Sequence, residues 1–255
     1  MIADYKKGLL HVCALNGNLL KSINPDGCLQ EPIGICVGTK NSCNDERIYI
    51  YDSKAETVFL FNQDFKLIKK IGEKLKGIQY IAIDCESDKL YCSHYFENKV
   101  SVWSANQGTS IETLTIDQPL YLMIHEDKIF IVSGVDYEVD SNKRKLLSFS
   151  KGNYIKVIDK LSLKVINTII FKNWLMPTSL HLSSNSNIYT FAYEVDEHGT
   201  ISKNVHLFEI DAENFEIEQY FEIKDTSEFY DALYIDNKLI LCSVNGKRNE
   251  IRILE

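Results

Sequence analysis

An apolar-x-apolar triplet returns six times along this chain, at Leu10-His11-Val12, Val58-Phe59-Leu60, Val100-Ser101-Val102, Ile155-Lys156-Val157, Val205-His206-Leu207 and Ile251-Arg252-Ile253. Successive copies stand about 42 to 55 residues apart, which is too long for a leucine-rich or ankyrin unit and suits a four-stranded propeller blade with variable loops. The predicted fold is therefore all-β, a six-bladed β-propeller whose first and last blades are incomplete. At 255 residues and 45% hydrophobic, the chain is long enough to form a single closed all-β domain. The blades fall at about 1–31, 32–76, 77–117, 118–175, 176–227 and 228–255.

Each copy divides into short strands of period-2 alternation bounded by Asn, Asp, Gly, Ser or Pro. In the second copy these are Ile33 to Val37, Arg47 to Tyr51, Thr57 to Phe61 and Lys66 to Ile71. The fourth and fifth copies carry polar insertions, Gly134 to Lys151 and Glu194 to Lys203, both between their second and third strands. Equivalent connections of a blade open on one common face, so these insertions predict a loop-rich binding surface. The innermost strand of the fifth copy is expected at Ser179 to Leu182. The first copy enters within its second strand and the last ends after its third. That pattern predicts either a piece of a longer chain or an exposed seam, since propellers normally close by letting one terminus complete the other's blade.

The net charge of -8 and pI near 5.3 set the summed field against phosphate, so nucleic acid is a disfavoured partner. Seven cysteines, at 13, 28, 36, 43, 85, 92 and 242, include no C-x-x-C pair, and those within strand-like runs read as small buried hydrophobes. There is no Asn-x-Ser/Thr site. Together with the absence of a basic-then-apolar start after Met1, this predicts a reducing, cytoplasmic setting and no membrane partner.

The first copy, Ile2-Ala3-Asp4-Tyr5 through Leu9-Leu10-His11-Val12 to Asn16-Gly17-Asn18-Leu19-Leu20, resembles an NHL repeat. Pro32-Ile33-Gly34-Ile35-Cys36-Val37 and Ile81-Ala82-Ile83-Asp84 are similar to the innermost strand of that pattern. The copies at Lys89 to Thr115 and Tyr154 to Ile169 lean toward the YVTN propeller repeat. The resemblance implies a binding platform. Many NHL propellers terminate tripartite-motif-type ubiquitin ligases, where they hold substrates or RNA, and a few are lyases or hydrolases. No RING or B-box cysteines are present, and fold analogy carries no active site with it.

Among the histidines, His11 and His206 are the middle residues of triplets and read as satisfied sheet histidines. His181, with Asp84, Glu126 and Asp231, could face a central channel and hold a cation. The intervening Val37, Met123 and Ile124 and the absence of tight ligand spacing argue against it, so no metal and no cofactor is expected. No nucleophile elbow or Gly-rich phosphate loop occurs. Lys143-Arg144-Lys145 follows Asp136, Glu138 and Asp140 in the first insertion and reads as a solvated loop. The strongest functional signal is aromatic: Tyr95 and Phe96 after a second strand, Trp174 and Met176 before the innermost strand of the fifth copy, and Phe229 and Tyr230 before that of the sixth. With Arg144 nearby, this is the composition of interface anchors. The expectation is a non-catalytic platform for a protein or peptide. A channel-metal hydrolase or lyase is the alternative, and an RNA-binding propeller the second alternative.

Overall fold

The computed structural model describes residues 1–14, 16–40, 45–134, 136–140, 145–150, 152–172, 175–182, 186–195, 201–224, 228–235, 238–245 and 248–254. The chain divides into two compact units, Met1–Pro119 and Leu120–Glu255. Every sheet pairing in both is antiparallel and local in sequence.

The first unit opens with a three-stranded sheet of β1 (Ile2–Asp4), β2 (Leu9–Cys13) and β3 (Leu19–Ile23). Next comes a four-stranded meander of β4 (Pro32–Lys40), β5 (Asp45–Asp52), β6 (Thr57–Asn62) and β7 (Leu67–Ile71). A second meander contains β8 (Ile78–Asp84), β9 (Lys89–His94), β10 (Lys99–Ser104) and β11 (Ser110–Thr115).

The inner strands β5 and β6 are buried on both faces, and the alternation of their side chains shows how. Ile48, Ile50, Phe59 and Phe61 pack with Leu10 of β2 and Leu29 of the loop that follows β3. Tyr49, Tyr51, Val58 and Leu60 pack with Ile78, Ile81, Leu90 and Cys92 of the third sheet. Period 2 is kept, but both halves of the pattern are apolar, so β6 reads as a continuous hydrophobic run.

Polar clasps tie the sheets together. Asp52, fully buried, ends β5. Its Oδ2 accepts the backbone N–H of Gln30 at 2.7 Å and of Glu31 at 2.8 Å, and its Oδ1 those of Lys54 at 3.2 Å and Ala55 at 2.9 Å. One carboxylate thus joins the loop leaving the first sheet to the β5–β6 turn. Tyr51 donates its hydroxyl to the Leu75 carbonyl at 2.6 Å, which fixes the β7–β8 loop. Cys13, Cys28, Cys36, Cys85 and Cys92 carry free thiols, and burial pushes Cys92 up to about 12 and holds Cys36 well above the ordinary thiol range.

In the second unit, β12 (Pro119–His125), β13 (Lys128–Ser133), β16 (Tyr154–Asp159) and β17 (Val165–Ile170) form one sheet; between β13 and β16 stands a hairpin of β14 (Asp136–Asp140) and β15 (Lys145–Ser150). Then β18 (Leu175–Pro177) and β19 (His181–Leu182) both pair β20 (Ile188–Val195), which continues to β21 (Ile201–Ile210) and β22 (Ile217–Lys224). The last sheet is β23 (Glu228–Ile235), β24 (Lys238–Asn245) and β25 (Arg248–Leu254). The core of this unit sets Phe130, Val132, Ile155, Val157 and Ile169 against Leu180, Ile188, Phe208 and Ile210, with Phe171 edge-on to Phe208 at 5.1 Å between ring centroids.

The turn from third to fourth strand recurs in both units. Ser104, Asp159 and Asp211 each accept the backbone N–H of the residue four positions on. That residue, Gly108, Leu163 or Phe215, has φ of 75°, 56° or 66°, a left-handed turn conformation.

The architecture is an all-β propeller, with five blades rather than the expected six. The sheets β4–β7, β8–β11 and β12–β13–β16–β17 have four strands each and that of β18 to β22 has five, whereas the N-terminal sheet β1–β3 and the last sheet β23–β25 have three each. Two further expectations are corrected. The first insertion is a paired hairpin, Asp136↔Ser150 to Asp140↔Lys145. The second extends β20 and β21, with Val195 opposite Ile201. In both, the described strand residues pair across the insertion rather than forming open loop.

Candidate functional site

Tyr95 and Phe96 stand where the sequence suggested, directly after β9. They form a 3-10 turn, Tyr95–Glu97, closed by Asn98 at φ 50° and ψ 44°. Asn98 also accepts the Gln118 N–H on Oδ1 at 2.8 Å and the Ile116 N–H on its carbonyl at 3.1 Å. Phe96 is 77% exposed. Its ring meets Tyr95 edge-on at 5.1 Å and 83°. Gly77, at φ 64°, lies beneath it: a Cβ there would come within 3.9 Å of Phe96 Cδ2.

The turn is anchored by the residue before it. His94 is buried, and desolvation pulls its pKa below the ordinary histidine value, so the ring is neutral near pH 7. Its Nδ1 lies 2.9 Å from the Lys76 carbonyl and its Nε2 2.8 Å from Ser101 Oγ. In the neutral ring Nδ1–H donates to the carbonyl and Nε2 accepts the Ser101 O–H. Trp103 Nε1–H donates to Ser101 Oγ at 2.9 Å. This serine and histidine have the spacing of a nucleophile and base, yet Ser101 is 5% exposed and His94 2% exposed. Their bonds hold the β7–β8 loop against the aromatic turn. No signal in the sequence marked this network, because its members serve three different elements. Around the rim, Lys99 pairs with Glu97 and holds its carboxyl below the usual range, and Lys76 lies 3.8 Å from Glu56.

In the second unit, Met176 is a strand residue and not part of the preceding loop. It lies in β18 opposite Tyr193 and is partly buried. The innermost strand of that copy is split, and the part read from sequence is β19 alone. Phe229 and Tyr230 likewise lie within β23 rather than before it, and the register steps from Phe229 to Asp231, which leaves Tyr230 at a bulge. Trp174, Lys143 and Arg144 lie outside the described residues.

His11, expected to be a satisfied sheet histidine, contacts Ser22 Oγ at 2.8 Å and Asp4 Oδ2 at 3.2 Å across β1–β3; His206 lies in β21 with its Nε2 3.5 Å from Glu194. The proposed cation ligands have other tasks. Asp84 accepts the Glu86 N–H at 3.2 Å and the Ser87 hydroxyl. Glu126 is an exposed turn residue at φ 51°. His181 packs edge-on against Phe191 at 6.2 Å. Among the described residues, no three His, Cys, Asp or Glu side chains gather to hold a metal ion. A cavity of about 10 Å³ between Gly38, Arg47, Tyr49, Ile83, Cys85, Asp88 and Asn106 has room for about one water. Arg47 closes it by donating to Asn106 Oδ1 at 2.9 Å. No helix among the described residues is long and apolar enough to cross a membrane.

No protein-family model matches the chain, and no curated protein matches it in sequence. Solved structures do match it in fold. Hydrazine synthase of Kuenenia stuttgartiensis superposes with a TM-score of 0.66 at 15% identity, over 88% of this chain and 62% of that one. A chain of the mitotic checkpoint complex gives 0.61 at 12% identity, over 97% and 70%. Virginiamycin B lyase from Staphylococcus aureus gives 0.52 at 14% identity, over 88% and 69%. At these identities the likeness concerns the fold alone: this chain has the β-propeller architecture of proteins that differ in chemistry from one another.

Proposed function

We propose that the chain is a non-catalytic protein-interaction platform that binds a protein or peptide through the connections between second and third strands, with Phe96 as its principal anchor. The observation that carries this reading is the ring of Phe96, held out in a turn that His94, Ser101, Asn98 and Gly77 immobilise. A preorganised exposed aromatic loses little entropy on binding, and large aromatic anchors dominate interface energetics. The checkpoint assembly among the structural neighbours supports the reading as an instance of the fold within a protein complex.

The specific form suggested by the NHL resemblance is a cytoplasmic module that presents substrates to a ubiquitin ligase. Selection from a displayed random-peptide library tests the platform directly. Phe96→Ala should lower binding of the selected peptides about 10- to 100-fold, the scale set by withdrawing a buried phenylalanine from an interface. The melting temperature should hold, because the ring is exposed. Equal binding by both proteins would remove Phe96 and its turn from the site.

A further inference from the structure

His94 ties together the elements at the foot of the Phe96 turn. The turn Tyr95–Glu97 starts directly after it. Its Nδ1 meets the carbonyl of Lys76, 18 residues away in the chain, and the next residue, Gly77, is the floor beneath the Phe96 ring. Its Nε2 meets Ser101 Oγ, which also accepts Trp103 Nε1–H. One ring thus pins both the start of the turn and the loop under the anchor. The ring is buried, and the groups around it hold no anion free to balance a charge. Glu97 of the turn is paired with Lys99 of β10, which stands opposite His94 in the ladder. The β7–β8 loop brings Lys76, whose ammonium lies near Glu56, and β8 brings Ile78. Burial pushes the Cys92 thiol on β9 and the Tyr51 phenol, which holds the Leu75 carbonyl, up to about 12, so both are neutral.

We propose, resting on Phe96 as the anchor of a binding platform, that His94 is an acid-sensitive latch on that anchor: the neutral ring holds turn and loop together, and a second ring proton releases them and lowers partner binding. In the neutral ring Nδ1–H donates and Nε2 accepts. The second proton goes to Nε2, so an N–H then faces the hydroxyl that had been donating to it. Ser101 must turn its own proton away while its Oγ already accepts from Trp103, and the imidazolium stays out of water. Both penalties vanish when the ring swings out, which breaks the Lys76 contact and parts Gly77 from Phe96. Burial pulls the pKa of the latched ring below 6.5; Lys99 acts in the same direction, and the Lys76 carbonyl and Glu97 oppose it. The latched state is therefore fully favoured above about pH 6.5 and loses ground as the pH falls below it, by at most about tenfold per pH unit for one proton.

Amide hydrogen exchange of the full chain at pH 7.5 and pH 5.0, corrected for the intrinsic chemistry and read without a ligand, tests this. The N–H groups of Asn98, Ile116 and Gln118, which bond within or onto the turn, should lose up to about 30-fold in protection at pH 5.0 relative to Leu60 in β6. His94→Gln keeps a donor and an acceptor but takes no proton, so it should show no such loss. In the wild type the His94 ring resonances should titrate below pH 6.5, and the Trp103 Nε1–H resonance should move with the same midpoint; these readings decide the matter alone if the variant does not fold. Peptides selected at pH 7.5 should weaken at pH 5.0 more for the wild type than for His94→Gln. A ring that titrates at or above pH 6.5, turn amides equally protected at both pH values, the same loss in His94→Gln, or an equal weakening of peptide binding in both proteins would each overturn the latch. Failure to select any peptide at pH 7.5 strikes the platform reading instead, since exchange and resonances are measured on the free chain.

Discussion

Acid should weaken this protein through His181, and the size of the effect follows from its surroundings. The ring nitrogen Nε2 is buried, the ring packs on Phe191, and desolvation pulls the pKa from 6.5 to about 4. Between those values the unfolded chain binds a proton that the folded chain refuses, so stability is complete above about pH 6.5 and falls as the pH drops toward 4. The whole shift of about 2.5 units amounts to about 3 kcal/mol, of which about 2 is lost by pH 5. Urea unfolding of the wild type and of His181→Leu, each at pH 7.5 and pH 5.0, isolates the effect. His94, also lowered by burial, contributes alike to both proteins and cancels in the difference. The substitution should cost stability at pH 7.5, and that cost should shrink by about 2 kcal/mol at pH 5.0. The same pH dependence in both proteins would refute the assignment of a neutral, desolvated ring.

Two further outcomes follow from single contacts. Asp52→Ala should lower unfolding free energy by roughly 3 to 5 kcal/mol, because four backbone N–H groups lose a buried acceptor; a loss below about 1 kcal/mol would show that the clasp is dispensable. Gly38→Ala places a Cβ 2.2 Å from Cys85 Sγ and should cost about 1 to 3 kcal/mol. In the Cys85→Ala background much of that penalty should vanish, and a thermal double-mutant cycle showing simple additivity would contradict the close packing.

The strand pattern was legible because each blade repeats one chemical plan. The triplets Val58-Phe59-Leu60 and Val100-Ser101-Val102 fall in β6 and β10, and both are buried throughout. The polar insertions were also legible as insertions, since they interrupt that plan. Their pairing as strands is not, because a short polar strand has no periodic apolar signature. From sequence Met176 falls in the loop before the innermost strand of the fifth copy. In the structure it lies in β18, the chain resumes as β19, and both pieces bind β20. Tyr95 and Phe96 were found by composition, but only coordinates could separate an exposed anchor from a ring tucked between sheets.

By itself, then, the sequence determined an all-β chain of repeated four-stranded units, a surface field hostile to phosphate, and the two connections that carry extra residues. These follow from periodicity and summed charge, which are local or additive quantities. Tertiary structure alone decided the rest: that Asp52 joins a loop 21 residues away in the chain, that His94 meets Ser101 and the Lys76 carbonyl, that Phe96 stands clear while Phe59 is sealed, and that the apolar side chains of β17 remain uncovered. Each depends on which surfaces meet when sheets pack. That is a property of pairs of elements, and no single stretch of sequence encodes it.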